Sequence, residues 1–309
     1  MPDLLCLGEP MLEMNQQPAG PDGRVLFLQG HGGDTSNAAI AATRQGASAG
    51  YVSAVGTDAP GDSLMALWAT EGVDSSLVGR RADAPTGIYV VSHGPDGHRF
   101  TFYRRGSAAS LMGPQDVPEA AIRAAKILHL SGISQAISPS ACDAGFRAIE
   151  VARDAGVLVS YDTNLRLALW PAARAAAVIH AAIGMADIAL PSLEDARALT
   201  GLTTPEAIVD FYLRLCPLVF LKRGAEGCTV ATRDARVTIP RHAVTPVDAT
   251  GAGDTFAGAL LARLIAGDPP EEAARYANVA AALSTRGYGA VAPMPRAAEV
   301  RAAMGAAQA

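Results

Sequence analysis

A chain of 309 residues with 50% hydrophobic and 18% charged side chains is too apolar for a disordered polymer and long enough to bury a sizeable core. Its formal charge of −5 gives no general attraction for nucleic acid or anionic membrane, so any anion it binds must meet positive charge gathered locally. The four cysteines, Cys6, Cys142, Cys216 and Cys228, form no C-x-x-C pair and the six histidines lack ligand spacing, which argues against a dedicated protein-ligated metal site and for buried free thiols in a reducing cytosol.

The opening run MPDLLCLGEPMLEMN has an acidic residue at position 3 and no basic region, so it does not read as a secretory signal. No apolar run reaches membrane-spanning length, and the cytoplasm is the expected location. Short apolar runs then alternate with amphipathic patterns. A strand at 3–8 precedes a helix at 35–46, and a strand at 49–56 precedes a helix at 62–72. Further strands at 126–132, 157–162, 186–191 and 218–224 alternate with helices at 138–156, 171–183 and 193–201, and a last helix opens at GAGD. Apolar runs of four to six residues between amphipathic helices predict an α/β protein whose largely parallel sheet is covered on both faces. Such sheets bind ligands at the carboxyl ends of their strands.

Two stretches break the rhythm. Residues 14–31 and 86–105 read as extended, the second as a hairpin turning at GPDG. They predict a small β-sheet of insertions over one edge of a single domain spanning 1–309, acting as a lid or as a decorated edge.

The run VDATGAGDTFAGALLARL, residues 247–264, places Gly251, Ala252, Gly253 and Asp254 at the mouth of an apolar helix. Unpaired amides and the helix dipole favour an anion there, and small residues let it approach. Asp254 would then stand beside a phosphoryl group in transfer, able to take a proton from an attacking hydroxyl. Ordinary capping explains an acidic first turn equally well. A dinucleotide fingerprint is disfavoured because Phe256 stands where its third glycine belongs, and no Walker A loop occurs.

The stretch DATGAGDTFAGALLA resembles the C-terminal signature of the ribokinase-like (PfkB) carbohydrate kinases, and GGDTSNAAIAATRQGA at 32–47 resembles their N-terminal one. Both motifs stand in the right order, and the likeness covers nearly the whole chain. It implies a Rossmann-type three-layer sandwich with a β-sheet lid, with Asp254 as catalytic base and the amides of Gly251, Ala252 and Gly253 as anion hole. Gly33, Asp34 and Asn37 of the first signature would face the sugar.

Within the family, SYDTNLRLALW at 160–170 resembles a segment shared by 2-keto-3-deoxygluconate kinases and fructokinases, with Asn164 and Arg166 toward the substrate. Arg166 has the planar fork that clamps a carboxylate or phosphate, though a structural ion pair with Asp162 stays open. Glu13 in GEPMLEM, Tyr89 in TGIYV, and Phe102 and Arg104 in FYRRGSAAS match substrate-facing positions of the ketodeoxygluconate branch, whose lid tyrosine is replaced here by Phe102. Core packing is the alternative for the aromatics. The openings GEPMLEM, ILHLSGIS and LPSLEDARALTG favour that branch, and Arg104, Arg105 and Arg166 suit an acidic sugar; fructokinase is the alternative.

The resemblance further implies ATP and Mg²⁺. Lys222, Gly224 and Gly227 of LKRGAEG, Ser192, and Asn278 would line the nucleotide. Asp195 of SLED, where relatives carry N-x-x-E, would meet magnesium through water, unless it is only a first-turn helix charge. Asp248 is a candidate for a K⁺ site. A homo-oligomer, most simply a dimer, is expected through the lid.

Overall fold

The computed structural model describes residues 1–94 and 97–306; Pro95 and Asp96 of the expected GPDG turn lie outside the described residues. Its strands are β1 (Leu4–Leu7), β2 (Met11–Gln17), β3 (Leu26–Gly32), β4 (Ala49–Gly56), β5 (Val78–Arg81), β6 (Gly87–Gly94), β7 (Gly97–Tyr103), β8 (Ile127–Ser131), β9 (Leu158–Asp162), β10 (Ile188–Leu190), β11 (Leu218–Lys222), β12 (Cys228–Ala231) and β13 (Arg236–Ile239). Nine of them form one sheet in the order β13-β12-β11-β10-β9-β8-β1-β4-β5, parallel except for the β12 and β13 edge. Period-2 alternation sends Leu5, Leu7, Leu128 and Leu130 to one core and Leu4, Cys6 and Ile127 to the other. With both faces buried the strands read as continuous apolar runs, as expected.

Helices Pro139–Asp154, Ala172–Ile183, Leu193–Thr200 and Pro205–Leu213 cover the first face. Helices Asp34–Arg44, Ala59–Glu71, Ala252–Ile265 and Pro270–Ser284 cover the second. Several begin with proline in the first turn after a side-chain cap: Asp58 accepts from Gly61 N at 2.9 Å and Ser138 from Ala141 N at 3.0 Å. The Asp58 cap starts its helix at Ala59, three residues ahead of the expected 62. The short strands β5, β12 and β13 were not expected; four residues each carry too little periodicity to register.

The two irregular stretches form a four-stranded sheet, β3-β2-β6-β7, with β2 parallel to β6 at the centre and a hairpin on each side. Its register sets Gly30, Glu13, Tyr89 and Phe102 in one row.

Candidate active site

From β1 the chain builds toward β4 and β5, then returns to β8 on the opposite side of β1 and continues to β11. The sheet order thus reverses between β1 and β8, which opens a crevice at their carboxyl ends. Ser131 ends β8, Asp162 ends β9 and Lys222 ends β11. Asp34 opens one helix over this crevice, and Asp254 stands in the first turn of another. Those helices meet at Gly258, where a Cβ would lie 2.2 Å from Ala38 O and 2.6 Å from Ala41 Cβ. That close approach, one turn past Asp254, lets Asn37 Nδ2 donate to Asp254 Oδ2 at 2.8 Å.

Three carboxylates converge here. Ser131 Oγ donates to Asp34, and Asn164 Nδ2 reaches Asp34 Oδ2 at 3.3 Å and Asp254 Oδ1 at 3.5 Å. Asn164 is the one non-glycine residue with positive φ among the described residues (27°), backbone strain that the site tolerates to point this amide. Burial, then the Asp34 charge, then that of Asp162 push the Asp254 carboxyl up to about 7, against the Asn37 hydrogen bond and the Lys222 charge. Burial raises Asp34 as well, while the Ser131 hydrogen bond and the Arg166 charge pull it down. Asp34 Oδ1 and Asn37 Oδ1 are buried with no protein partner, acceptors suited to sugar hydroxyls.

At the helix mouth Gly251 has φ 75°, which only glycine adopts freely, and no side chain caps Ala252–Ile265. A Cβ on Gly253 would meet only Lys222 Nζ, at 3.5 Å. Ala252 N donates to Ala249 O at 3.2 Å, so of the three expected amides those of Gly251 and Gly253 share one small space with the lysine ammonium, fit for a phosphoryl group. Lys222 Nζ also donates to Asp162 Oδ2 at 2.5 Å. Arg166 consequently forms no ion pair with Asp162: it is exposed, donates to Leu165 O at 2.8 Å, and has no carboxylate partner among the described residues.

In the small sheet, Tyr89 donates to the buried Glu13 carboxylate, which Asn15 Nδ2 also reaches at 3.1 Å. Phe102 packs 5.8 Å from Tyr89, ring to ring. Arg104 pairs with Glu9, a residue in the GEP run that drew no attention as sequence because acidic residues near a strand end are common.

A cavity of about 330 Å³ lies beyond the helix mouth, lined by Lys222, Gly224, Gly227, Gly253 and Asn278 together with Arg241. Asn278 Nδ2 donates to Pro240 O at 2.7 Å, tying the wall together. Phe256, Ala281 and Ala282 give it an apolar floor that sequence reading passed over, since helix-core alanines have no local mark of a binding role. Ser192 does not line it: its Oγ accepts from Asp195 N at 3.0 Å and caps the next helix. Asp195 Oδ2 accepts from Thr163 Oγ1 at 2.9 Å and Leu165 N at 3.2 Å, holding the 163–165 loop. Asp248 accepts from Thr250 N and Gly289 N, each at 2.9 Å. No group of three His, Cys, Asp or Glu among the described residues could cage a metal ion. With Asp162 and Asp195 already hydrogen-bonded, the donor set suits a magnesium ion that arrives on a nucleotide and meets protein through water. No described helix is long and apolar enough to cross a membrane.

Residues 2–297 match the profile of the pfkB family carbohydrate kinases. Fructokinase-1 of Oryza sativa subsp. japonica is 36% identical over 286 residues, covering 89% of this chain and 88% of the relative. The 2-dehydro-3-deoxygluconokinase of Thermoproteus tenax is 35% identical over 308 residues, covering 97% and 94%. Among solved structures, the fructokinase with bound ATP from Xylella fastidiosa superposes with a TM-score of 0.90 at 27% identity, over 100% of both chains.

Proposed function

Because the chain belongs to the pfkB family of carbohydrate kinases, we propose that it transfers the γ-phosphoryl group of ATP to the C6 hydroxyl of 2-keto-3-deoxy-D-gluconate. The observation that carries this acceptor is Arg166, a guanidinium at the crevice with no carboxylate partner among the described residues, near enough to lower the pKa of Asp34. An unpaired arginine in an acidic site suits a substrate carboxylate.

In this reading the sugar lies between the lid row Glu13, Tyr89 and Phe102 and the carboxylates below. Asp34, Asn37 and Asn164 orient its hydroxyls, and Asp254 faces the C6 hydroxyl. The C6 oxygen attacks the γ-phosphorus as the bond from phosphorus to the β–γ bridging oxygen breaks, and the hydroxyl proton passes to Asp254. Charge on the transferring group is met by the amides of Gly251 and Gly253 and by Lys222. ATP fills the cavity under Asn278, as the ATP-bound relative supports. Magnesium bound to the nucleotide would neutralise its β and γ oxygens, with Asp162 and Asp195 available to its water shell.

Fructose is the second reading, favoured by the Glu9–Arg104 pair, which leaves one cation fewer for an acidic sugar. The identities of 36% and 35% do not separate the two. An ADP-release assay with magnesium-ATP and 2-keto-3-deoxygluconate, its galactonate epimer, fructose, ribose and adenosine decides. Turnover confined to the keto acids is expected; fructose turning over as well or better would replace the acceptor.

A further inference from the structure

Glu9 lies between β1 and β2, where the main sheet hands over to the lid, and its side chain is 0% exposed. Its carboxylate accepts from Arg104, just past the end of β7, and from Ser107 Oγ at 3.0 Å. The lid hairpin is therefore fastened to the core through one ion pair. Several contacts tie that pair to the crevice. Gly33, next to Asp34, has no room for a side chain because Glu9 O would stand 2.5 Å from its Cβ. Burial raises the Glu9 carboxyl, Arg104 and Ser107 pull it down, and the Asp34 charge reaches it and raises it. The Arg104 guanidinium lies 5.6 Å from the centre of the Phe102 ring, and its Nε is buried with no partner. An arginine whose charge is cancelled but which retains an unpaired N–H offers a hydrogen bond rather than a net charge.

We propose that Glu9 is a positioning residue that sets the acceptor class: by neutralising Arg104 it presents that guanidinium as a neutral donor, which serves a carboxylate or a hydroxyl-bearing keto end alike. This rests on the crevice under the lid being the acceptor site. Discrimination for an anionic sugar then falls to Arg166 rather than to Arg104, and removing the Glu9 charge turns Arg104 into a further, uncompensated cation.

The test measures affinities of the full-length protein for 2-keto-3-deoxygluconate and for fructose by calorimetry, with Glu9→Gln and Glu9→Asp as variants. Glu9→Gln, which keeps an acceptor but not the charge, is expected to raise the keto-acid to fructose affinity ratio about tenfold. Glu9→Asp keeps the wild-type ratio within about twofold, since it restores the charge. A Glu9→Gln ratio equal to wild type, with both sugars weakened together, overturns the proposal and leaves Glu9 a mechanical clasp. Should Glu9→Gln fail to fold, Arg104→Met decides: a neutral donor predicts similar losses for both sugars, whereas a loss confined to the keto acid overturns the proposal. The ratio does not depend on which sugar is phosphorylated. Preferred turnover of fructose would therefore remove the proposed acceptor while the affinities still judge Glu9.

Discussion

Replacing Asp254 by asparagine is expected to stabilise the protein while nearly abolishing its activity. The carboxyl sits at about 7 in the fold against 3.8 in the open chain, so the folded state binds this proton more tightly. Its ionisation penalty is absent below the open-chain value, grows as pH rises toward 7, and is constant above it. A gap of about three in pKa at 1.36 kcal/mol each makes the full penalty about 4 kcal/mol above pH 7, and about 1.5 kcal/mol at pH 5. The amide of the Asp254→Asn variant carries no such penalty and still offers an oxygen to Asn37 Nδ2. Urea unfolding at pH 5 and pH 8 should therefore show the variant gaining on wild type by about 2–3 kcal/mol between the two. Turnover should drop about 10²–10⁴-fold, the usual worth of a general base. In wild type, kcat/KM should climb up to tenfold per pH step below about 7 and level off above it. A variant whose advantage is the same at both pH values would refute the burial argument, and turnover within about tenfold of wild type would remove Asp254 as the base.

Lys222→Met leaves the Asp162 carboxylate, 4% exposed, without its cation; a loss of about 3–5 kcal/mol is expected in urea unfolding. Because Lys222 also holds the Asp254 pKa down, the acid limb of kcat/KM should move to higher pH, and an unmoved limb would separate the two groups. Gly258→Ala forces a methyl to 2.2 Å from Ala38 O, costing about 1–3 kcal/mol and parting Asp254 from Asn37, so kcat should fall with stability. Wild-type stability in that variant would show that the helices have slack. The four-stranded sheet exposes Leu26, Leu28, Phe100 and Phe102 to 48%, 62%, 47% and 45%, an apolar surface that a second copy would cover. Light scattering at micromolar concentration should give the mass of a dimer, and monomer alone would dispose of the idea.

Strand rhythm, both glycine signatures and the two extended stretches of the small sheet were legible because each is a local pattern: a period of two, a glycine spacing, a break in alternation. What escaped is what depends on residues far apart in the chain. Nothing around Glu9 announces that Arg104, 95 residues later, will dock on it, so Arg104 read as a cation reserved for substrate. Asp162 and Arg166, four residues apart, made a plausible ion pair, yet the fold gives Asp162 to Lys222 across 60 residues and leaves Arg166 unpaired. Gly258 passed as one more small residue in a helix, although its missing Cβ is what brings Asp254 to Asn37.

The exchange of partners bears on the chemistry. Asp34, Asp162 and Asp254 gather in one crevice with Lys222 bound to Asp162, so the carboxylates near Asp254 are only partly neutralised. Had Lys222 stood against Asp254 instead, the base would be held ionised and weakly basic, a poor acceptor for a hydroxyl proton. In the proposed transfer, Asp254, its pKa raised by burial and by its acidic neighbours, would gain by taking that proton and would shed its negative charge as the phosphoryl group brings charge to the same helix mouth. On that proposal the instability stored in Asp254 would drive the proton transfer, which is why the variant that relieves it should fold better and catalyse worse.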